Sequence, residues 1–168
     1  MKSLKKVFSG VLAAAVAVTC FAGCTSNSGK EDSSGAKSDS ANTSGTIVVG
    51  CTGPLTGDAS QYGISVQRGA QLAVDEINAA GGINGINYSF IMKDDKANAT
   101  ETNTAYDQLM DEGMQISIGS VTSASCEAFA AKSVDDNLFF ITPSASNADI
   151  IAGRDNGFRV CFGDPDQG

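Results

Sequence analysis

From Thr46 onward the apolar and polar positions follow two periodicities in turn. Thr46-Ile-Val-Val-Gly-Cys51 is a short β-branched run followed by Gly and Pro, which predicts a buried strand. Over Ile64 to Ala80, Val66, Ala70, Ala73, Val74 and Ile77 recur at helical spacing, predicting an amphipathic helix with one buried stripe that Gly81-Gly82 stops. Asn87 to Met92 has strand character, and Asp94-Asp95 at its end read as solvated strand-end groups or turn formers. A second helix is predicted from Ala99 to Glu112, with Ala105, Leu109 and Met110 facing inward and Gly113 as its C-terminal signal. Gln115 to Gly119 gives a third strand, Ser123 or Ser125 caps a third helix running to Asp136, and Leu138 to Thr142 is a fourth strand ended by Pro143. A short helix near Ala148 and a fifth strand from Phe158 to Phe162 complete the series.

Strands that alternate with helices of this length predict an α/β fold: a parallel, Rossmann-like sheet with helices on both faces. In such sheets ligands sit beyond the carboxyl ends of the strands, where loops and helix N-termini gather. Those loops here are Thr52 to Gly63, Ser120 to Ser125 and Pro143 to Asn147, all rich in hydroxyls and small residues. Hydroxyls and free backbone N–H groups at a helix start suit an anion such as a carboxylate. For any one Ser or Thr a simple cap is an equal alternative; three such loops at one sheet edge favour a site.

The N-terminus has a different pattern. Lys2, Lys5 and Lys6 precede an apolar stretch from Val7 to Phe21, and Ala22-Gly23 stand just before Cys24. The apolar run is short for a membrane span and ends in small residues, so residues 1–23 read as a cleaved export signal. Phe21-Ala22-Gly23-Cys24 resembles a bacterial lipobox, in which the Cys thiol is lipidated, although Phe21 replaces the usual Leu. Cys24 is therefore the expected lipid anchor, held to the membrane by acyl chains. Residues 24–45, rich in Ser, Gly, Asn, Lys and Asp, have the composition of a disordered tether.

Charge and the absence of one residue type narrow the chemistry. The chain has 11 Lys and Arg against 19 Asp and Glu; without residues 1–23 the balance is 8 against 19, or −11. So acidic a body repels phosphate backbones, which excludes nucleic acid as a partner. There is no His, hence no Ser-His or Cys-His pair, which argues against a hydrolase and against an enzyme generally. Cys51, Cys126 and Cys161 remain after the signal and lipid cysteines; three is odd, the spacings of a zinc site are missing, and at least two of them read as buried structural thiols. Neither metal nor cofactor is called for.

The segments GCTGPLTGDASQYGISVQRGAQLAVDEINAAGGINGINYSF, KDD, GSVTSAS, FFITPSASNADI and FRVCFGDPDQG, in this order over Thr46 to Gly168, resemble the type I periplasmic binding proteins of the branched-chain amino-acid transport group. The resemblance implies a leucine-binding-like lobe over residues 46–168, an amino-acid ligand, and an ABC permease in the membrane as partner. It further implies that Ser123, with Thr122 beside it, and Ser144, Ala145 and Ser146 hold the ligand's carboxylate. Tyr62 matches an aromatic bordering the ligand, and Asp164 an acid near the crossover to a second lobe. Some family members carry a disulfide between the loops after the second and third strands; Lys96-Ala97 and Thr122 stand there in this chain, so that bridge is expected to be absent. Because the family closes two lobes around its ligand, the chain is expected to hold the N-terminal lobe and half a site. An extracellular sensor domain of the same fold is the alternative.

Overall fold

The computed structural model describes residues 45–167. The export segment, Cys24 and the tether up to residue 44 lie outside them. The elements are β1 (Thr46–Gly53), α1 (Ser60–Ala79), β2 (Asn87–Asp94), α2 (Ala99–Asp111), β3 (Ile116–Ser120), α3 (Ser123–Asp135), β4 (Phe140–Thr142) and β5 (Gly157–Arg159). One-turn 3-10 helices at Ala148–Ile150 and Asp164–Gln167 follow β4 and β5. All strands are parallel, in the order β2-β1-β3-β4-β5. The chain therefore leaves β1 toward β2 and returns past it to β3. The carboxyl ends of β1 and β3 flank that reversal, the place where open parallel sheets form a crevice.

Local chemistry sets the element ends. Asn98 caps α2, its side-chain oxygen accepting from the N–H groups of Thr100 (2.8 Å) and Glu101 (3.2 Å). Gly113, at φ 85°, follows that helix in the left-handed region that favours glycine. The cap residue of α3 is neither Ser123 nor Ser125 but Thr122, extended at φ −98°, ψ 150°. Ser123 is the first helical residue, and Ser125 is buried inside the first turn.

The core lies where α2 and α3 meet the sheet. Tyr106, Leu109, Met114, Cys126, Phe129, Ala130, Leu138, Phe140 and Ile150 form one buried cluster. Phe129 stands edge-on to Tyr106 (4.9 Å between centroids) and to Phe140 (5.6 Å), the favoured aromatic geometry. Ala105 and Leu109 face inward as the helical spacing predicts; Tyr106 joins them because its hydroxyl escapes to Asp136, donating at 2.7 Å. Burial and that acidic neighbour push the Tyr106 hydroxyl's pKa upward. The predicted stripe of α1 is only partly buried: Val74 is covered, Val66, Ala70 and Ile77 are half-buried, and Ala73 is exposed. The reason is that α1 packs chiefly on β2 and β1, whereas α2 and α3 also pack on each other. The fifth strand is shorter than predicted, since Val160 and Phe162 lie beyond it and are exposed.

Two contacts fix the turn between β1 and α1. Gly63 sits on the Pro54 peptide so closely that a Cβ there would lie 1.9 Å from the Pro54 carbonyl oxygen. Asp94, at the end of β2, accepts from the N–H of Leu55 (2.8 Å), the hydroxyl of Thr56 (2.5 Å) and the N–H of Lys96 (3.0 Å). Partial burial raises its pKa, but the bonds from the Thr56 hydroxyl and the Leu55, Lys96 and Thr56 N–H groups outweigh that and hold the carboxyl below its ordinary value.

Gly63→Ala should destabilise the protein by about 1–3 kcal/mol, because neither backbone can yield. Gly69→Ala, in the same helix with nothing within 4 Å of the new Cβ, should stabilise it by about 0.5–1 kcal/mol. Chemical denaturation of both variants checks the pair. A carboxyl depressed in the folded state contributes stability above its unfolded pKa, near ~3.9 for Asp, and loses it as pH falls through the folded value. Asp94→Asn should therefore flatten the fall of melting temperature below about pH 4, and an unaltered acid limb would show the turn is not held this way.

Candidate functional site

At the carboxyl ends of β1, β3 and β4 lies an open cleft of about 260 Å³ lined by Tyr62, Val121, Thr122, Ser123 and Ser144. Each element contributes by its position. Tyr62 stands in the first turn of α1, its ring projecting and 68% exposed. Val121 is buried below the opening and gives the cleft an apolar floor. Thr122 and Ser123 sit at the start of α3, whose first N–H groups have no acceptor within the helix. Those groups and the helix dipole make this corner electropositive.

The hydroxyls are not equivalent. Ser144 Oγ donates to the Val121 carbonyl at 2.7 Å, so its proton is spent and its lone pairs remain. Ser123 Oγ accepts from the Asn147 N–H at 3.4 Å, which leaves its own O–H free to donate. Thr122 Oγ1 is buried with no hydrogen-bond partner, an arrangement that needs a reason in a folded protein.

The structure thus brings Tyr62, Thr122, Ser123 and Ser144 to one cleft; Ala145 and Ser146 continue the loop after Ser144 outside its lining, and Asp164 stands apart after β5, joined to that loop through its backbone. Ala145 is 1% exposed, and its N–H donates to Thr142 Oγ1 at 3.2 Å. The Ser146 carbonyl accepts from the Asp164 N–H (3.0 Å) and from Arg159 Nη1 (2.9 Å). Asp164 itself is exposed. Val121 and Asn147 escape the sequence reading: one is an apolar residue among hydroxyls, and the other acts through its backbone N–H. Of the two roles expected for Asp95 the structure keeps one: it is completely buried rather than solvated, but it does form a turn, its Oδ1 accepting from the Ala97 N–H two residues on (2.9 Å).

A roomier hollow of about 340 Å³ lies near the amino-terminal ends of β4 and β5, against Val134, Asn137, Arg154 and Asn156. It contains none of the predicted residues. Its donors are partly committed: Arg154 Nη1 to the Ala130 carbonyl (3.0 Å) and Asn156 Nδ2 to the carbonyls of Ser133 (3.1 Å) and Leu138 (3.0 Å). The free thiols among the described residues are Cys51 and Cys126, both fully buried, and Cys161, half-buried; burial pushes the first two to higher pKa, away from the reactive thiolate. Among the described residues no cluster of Cys, Asp or Glu could hold a metal ion.

With this geometry in view, the similarities to known proteins are specific. The family model described as periplasmic binding protein matches residues 46–168. The leucine-, isoleucine-, valine-, threonine- and alanine-binding protein of Pseudomonas aeruginosa is 30% identical over 117 residues, 70% of this chain and 31% of its own length. The Leu/Ile/Val-binding protein BraC3 of Rhizobium johnstonii is 33% identical over 122 residues, 72% of this chain and 33% of its own. Among solved structures, the branched-chain amino acid transporter substrate binding protein LivJ from Streptococcus pneumoniae, in complex with isoleucine, superposes with a TM-score of 0.67 at 34% identity. That match covers 70% of this chain and 34% of LivJ. The chain spans about a third of the length of these relatives. A family match over the whole described sheet leaves one conclusion: the chain belongs to the periplasmic binding protein family, as one α/β lobe of the type I architecture found in substrate-binding proteins of ABC transporters.

Proposed function

We propose that this lobe captures an amino acid outside the cytoplasm and presents it to an ABC permease, with Cys24 as the lipid anchor that keeps the protein at the membrane. The observation that carries this reading is the convergence of Tyr62, Thr122, Ser123 and Ser144 on one cleft at the α3 N-terminus. Relatives named for leucine, isoleucine, valine, threonine and alanine support an amino acid as the ligand class.

The free valences suggest how a zwitterion would lie. Its carboxylate meets the Ser123 O–H and the unpaired N–H groups at the start of α3, where the dipole favours negative charge. Ser144, which the resemblance assigns to the carboxylate, has its proton on the Val121 carbonyl (2.7 Å), so in this reading its lone pairs face the ammonium instead. The Tyr62 ring borders the side chain, while Ser146 and Asp164, joined by the Asp164 N–H on the Ser146 carbonyl (3.0 Å), stand beyond Ser144 as the outer polar edge. Ala145 supports the same loop from beneath. A lobe of this kind offers one wall, and a second lobe would remove the remaining water, since a zwitterion held on one side stays largely hydrated.

Calorimetry of the full-length protein against the twenty amino acids and small amides should find a ligand of micromolar or tighter affinity; silence across that series would reject amino-acid capture. Ser123→Ala should weaken a carboxylate ligand by about 1–3 kcal/mol through the lost charge-assisted bond, and an unchanged Kd would reject its role. For Cys24→Ala the expectation is release from the membrane fraction on cell fractionation, and retention would point to an uncleaved anchor instead.

A further inference from the structure

Asp95 is wholly buried, and none of the three ion pairs among the described residues includes it. Its carboxyl is held by neutral donors alone: the Ala97 N–H (2.9 Å) on Oδ1 and the Ser120 hydroxyl (2.8 Å) on Oδ2, with Thr102 Oγ1 3.5 Å from Oδ2. Its backbone is tied as well, the N–H donating to the Gly53 carbonyl (3.1 Å) and the carbonyl accepting from Asn98 (2.8 Å). One residue thus touches the ends of β1, β2 and β3 and the first turn of α2.

The chain of bonds continues to the cleft. The Ser120 carbonyl accepts from Thr142 Oγ1 (2.8 Å), and that oxygen in turn accepts from the Ala145 N–H (3.2 Å). Beside it, the Ser144 hydroxyl donates to the Val121 carbonyl (2.7 Å). Ser120, Thr142 and Asp95 are each 0% exposed, so these bonds are shielded from bulk water. Lys96 and Ala97, next to Asp95, hold consecutive left-handed conformations (φ 51° and 57°) that cost non-glycine residues energy. Asp94 and Asp95 each accept from one of them. Burying a carboxyl and a strained turn is a poor way to gain stability alone, and its best-attested use is to fix one arrangement among several.

We propose that Asp95 is a positioning residue: through Ser120 and Thr142 it locks the loops after β2, β3 and β4 into one arrangement, holding Ser123 and Ser144 at their separation before ligand arrives. The coupling stands on these bonds; its bearing on affinity rests on the function proposed above. A purely structural hydroxyl supplies the control. Ser117 is equally buried and doubly bonded, donating to the Gly50 carbonyl and accepting from the Gly119 N–H (both 2.8 Å), but it joins no two rim loops.

The test is amide hydrogen exchange, segment by segment, on the full-length protein. Asp95→Asn should speed exchange at residues 143–147, two loops away, by about fivefold or more. Thr142→Val should do the same there and, by reciprocity, speed exchange at residues 95–98. The double variant should add nothing at 143–147 beyond Thr142→Val alone. Ser117→Ala should lower the melting temperature without altering either segment. Exchange confined to residues 95–102 in Asp95→Asn overturns the coupling, and if that variant does not fold, no change at 95–98 in Thr142→Val overturns it equally. In the amino-acid titrations, both variants should raise Kd by about fivefold or more while Ser117→Ala leaves it unchanged. Coupled exchange without any bound amino acid would support the network and reject the proposed function.

Discussion

The reversal of strand order at β1 and β3 is the constraint on which the rest of the molecule depends. A parallel sheet gathers the carboxyl ends of its strands along one rim, and the reversal sends the loops after β1 and β3 apart, leaving a crevice between them. Tyr62 is at that crevice because it follows β1, and Thr122 and Ser123 because they follow β3. Ser144 arrives from the next strand over, where Pro143 ends β4. Residues far apart in sequence thus become neighbours with no special pairing beyond the sheet itself.

Such a rim needs an interior that can hold loops still. The sheet's lower half achieves this with the aromatic cluster of Tyr106, Phe129 and Phe140, which is fully buried and packed edge to face. Its upper half uses polar groups instead: Thr52, Asp95, Thr102, Ser120, Ser125 and Thr142 are all buried. Hydrogen bonds are directional where apolar contacts are not, so a polar upper core specifies where each loop begins. The unpartnered hydroxyls of Thr52, Thr122 and Ser125 lie in the same half, the part of the molecule where stability is given up to geometry.

The two neighbouring acids divide this labour. Asp94 faces outward and holds the turn that leads to Tyr62, and Asp95 faces inward and holds the ends of β1, β2 and β3. Asp94 is the last residue of β2 and Asp95 the first of the turn that follows, and this change of backbone direction lets one dipeptide serve both the surface turn and the core.

By itself the sequence determined the alternation of strands and helices, the parallel sheet, and the three loops that meet at its rim. The physical reason is local: β-branched runs, helical spacing and Gly or Pro punctuation act over a few residues and survive in almost any tertiary setting. Tertiary structure decided what depends on which element lies opposite. It left Ala73 exposed because α1 packs chiefly on β2 and β1, and it buried Asp95 because Ser120 and Ala97 stand ready to donate. It also set the hydroxyls apart by function, spending the Ser144 proton on Val121 and leaving the Ser123 proton free. A serine reads the same in either role, and only the position of a carbonyl or an N–H brought in from another loop makes it a donor or an acceptor.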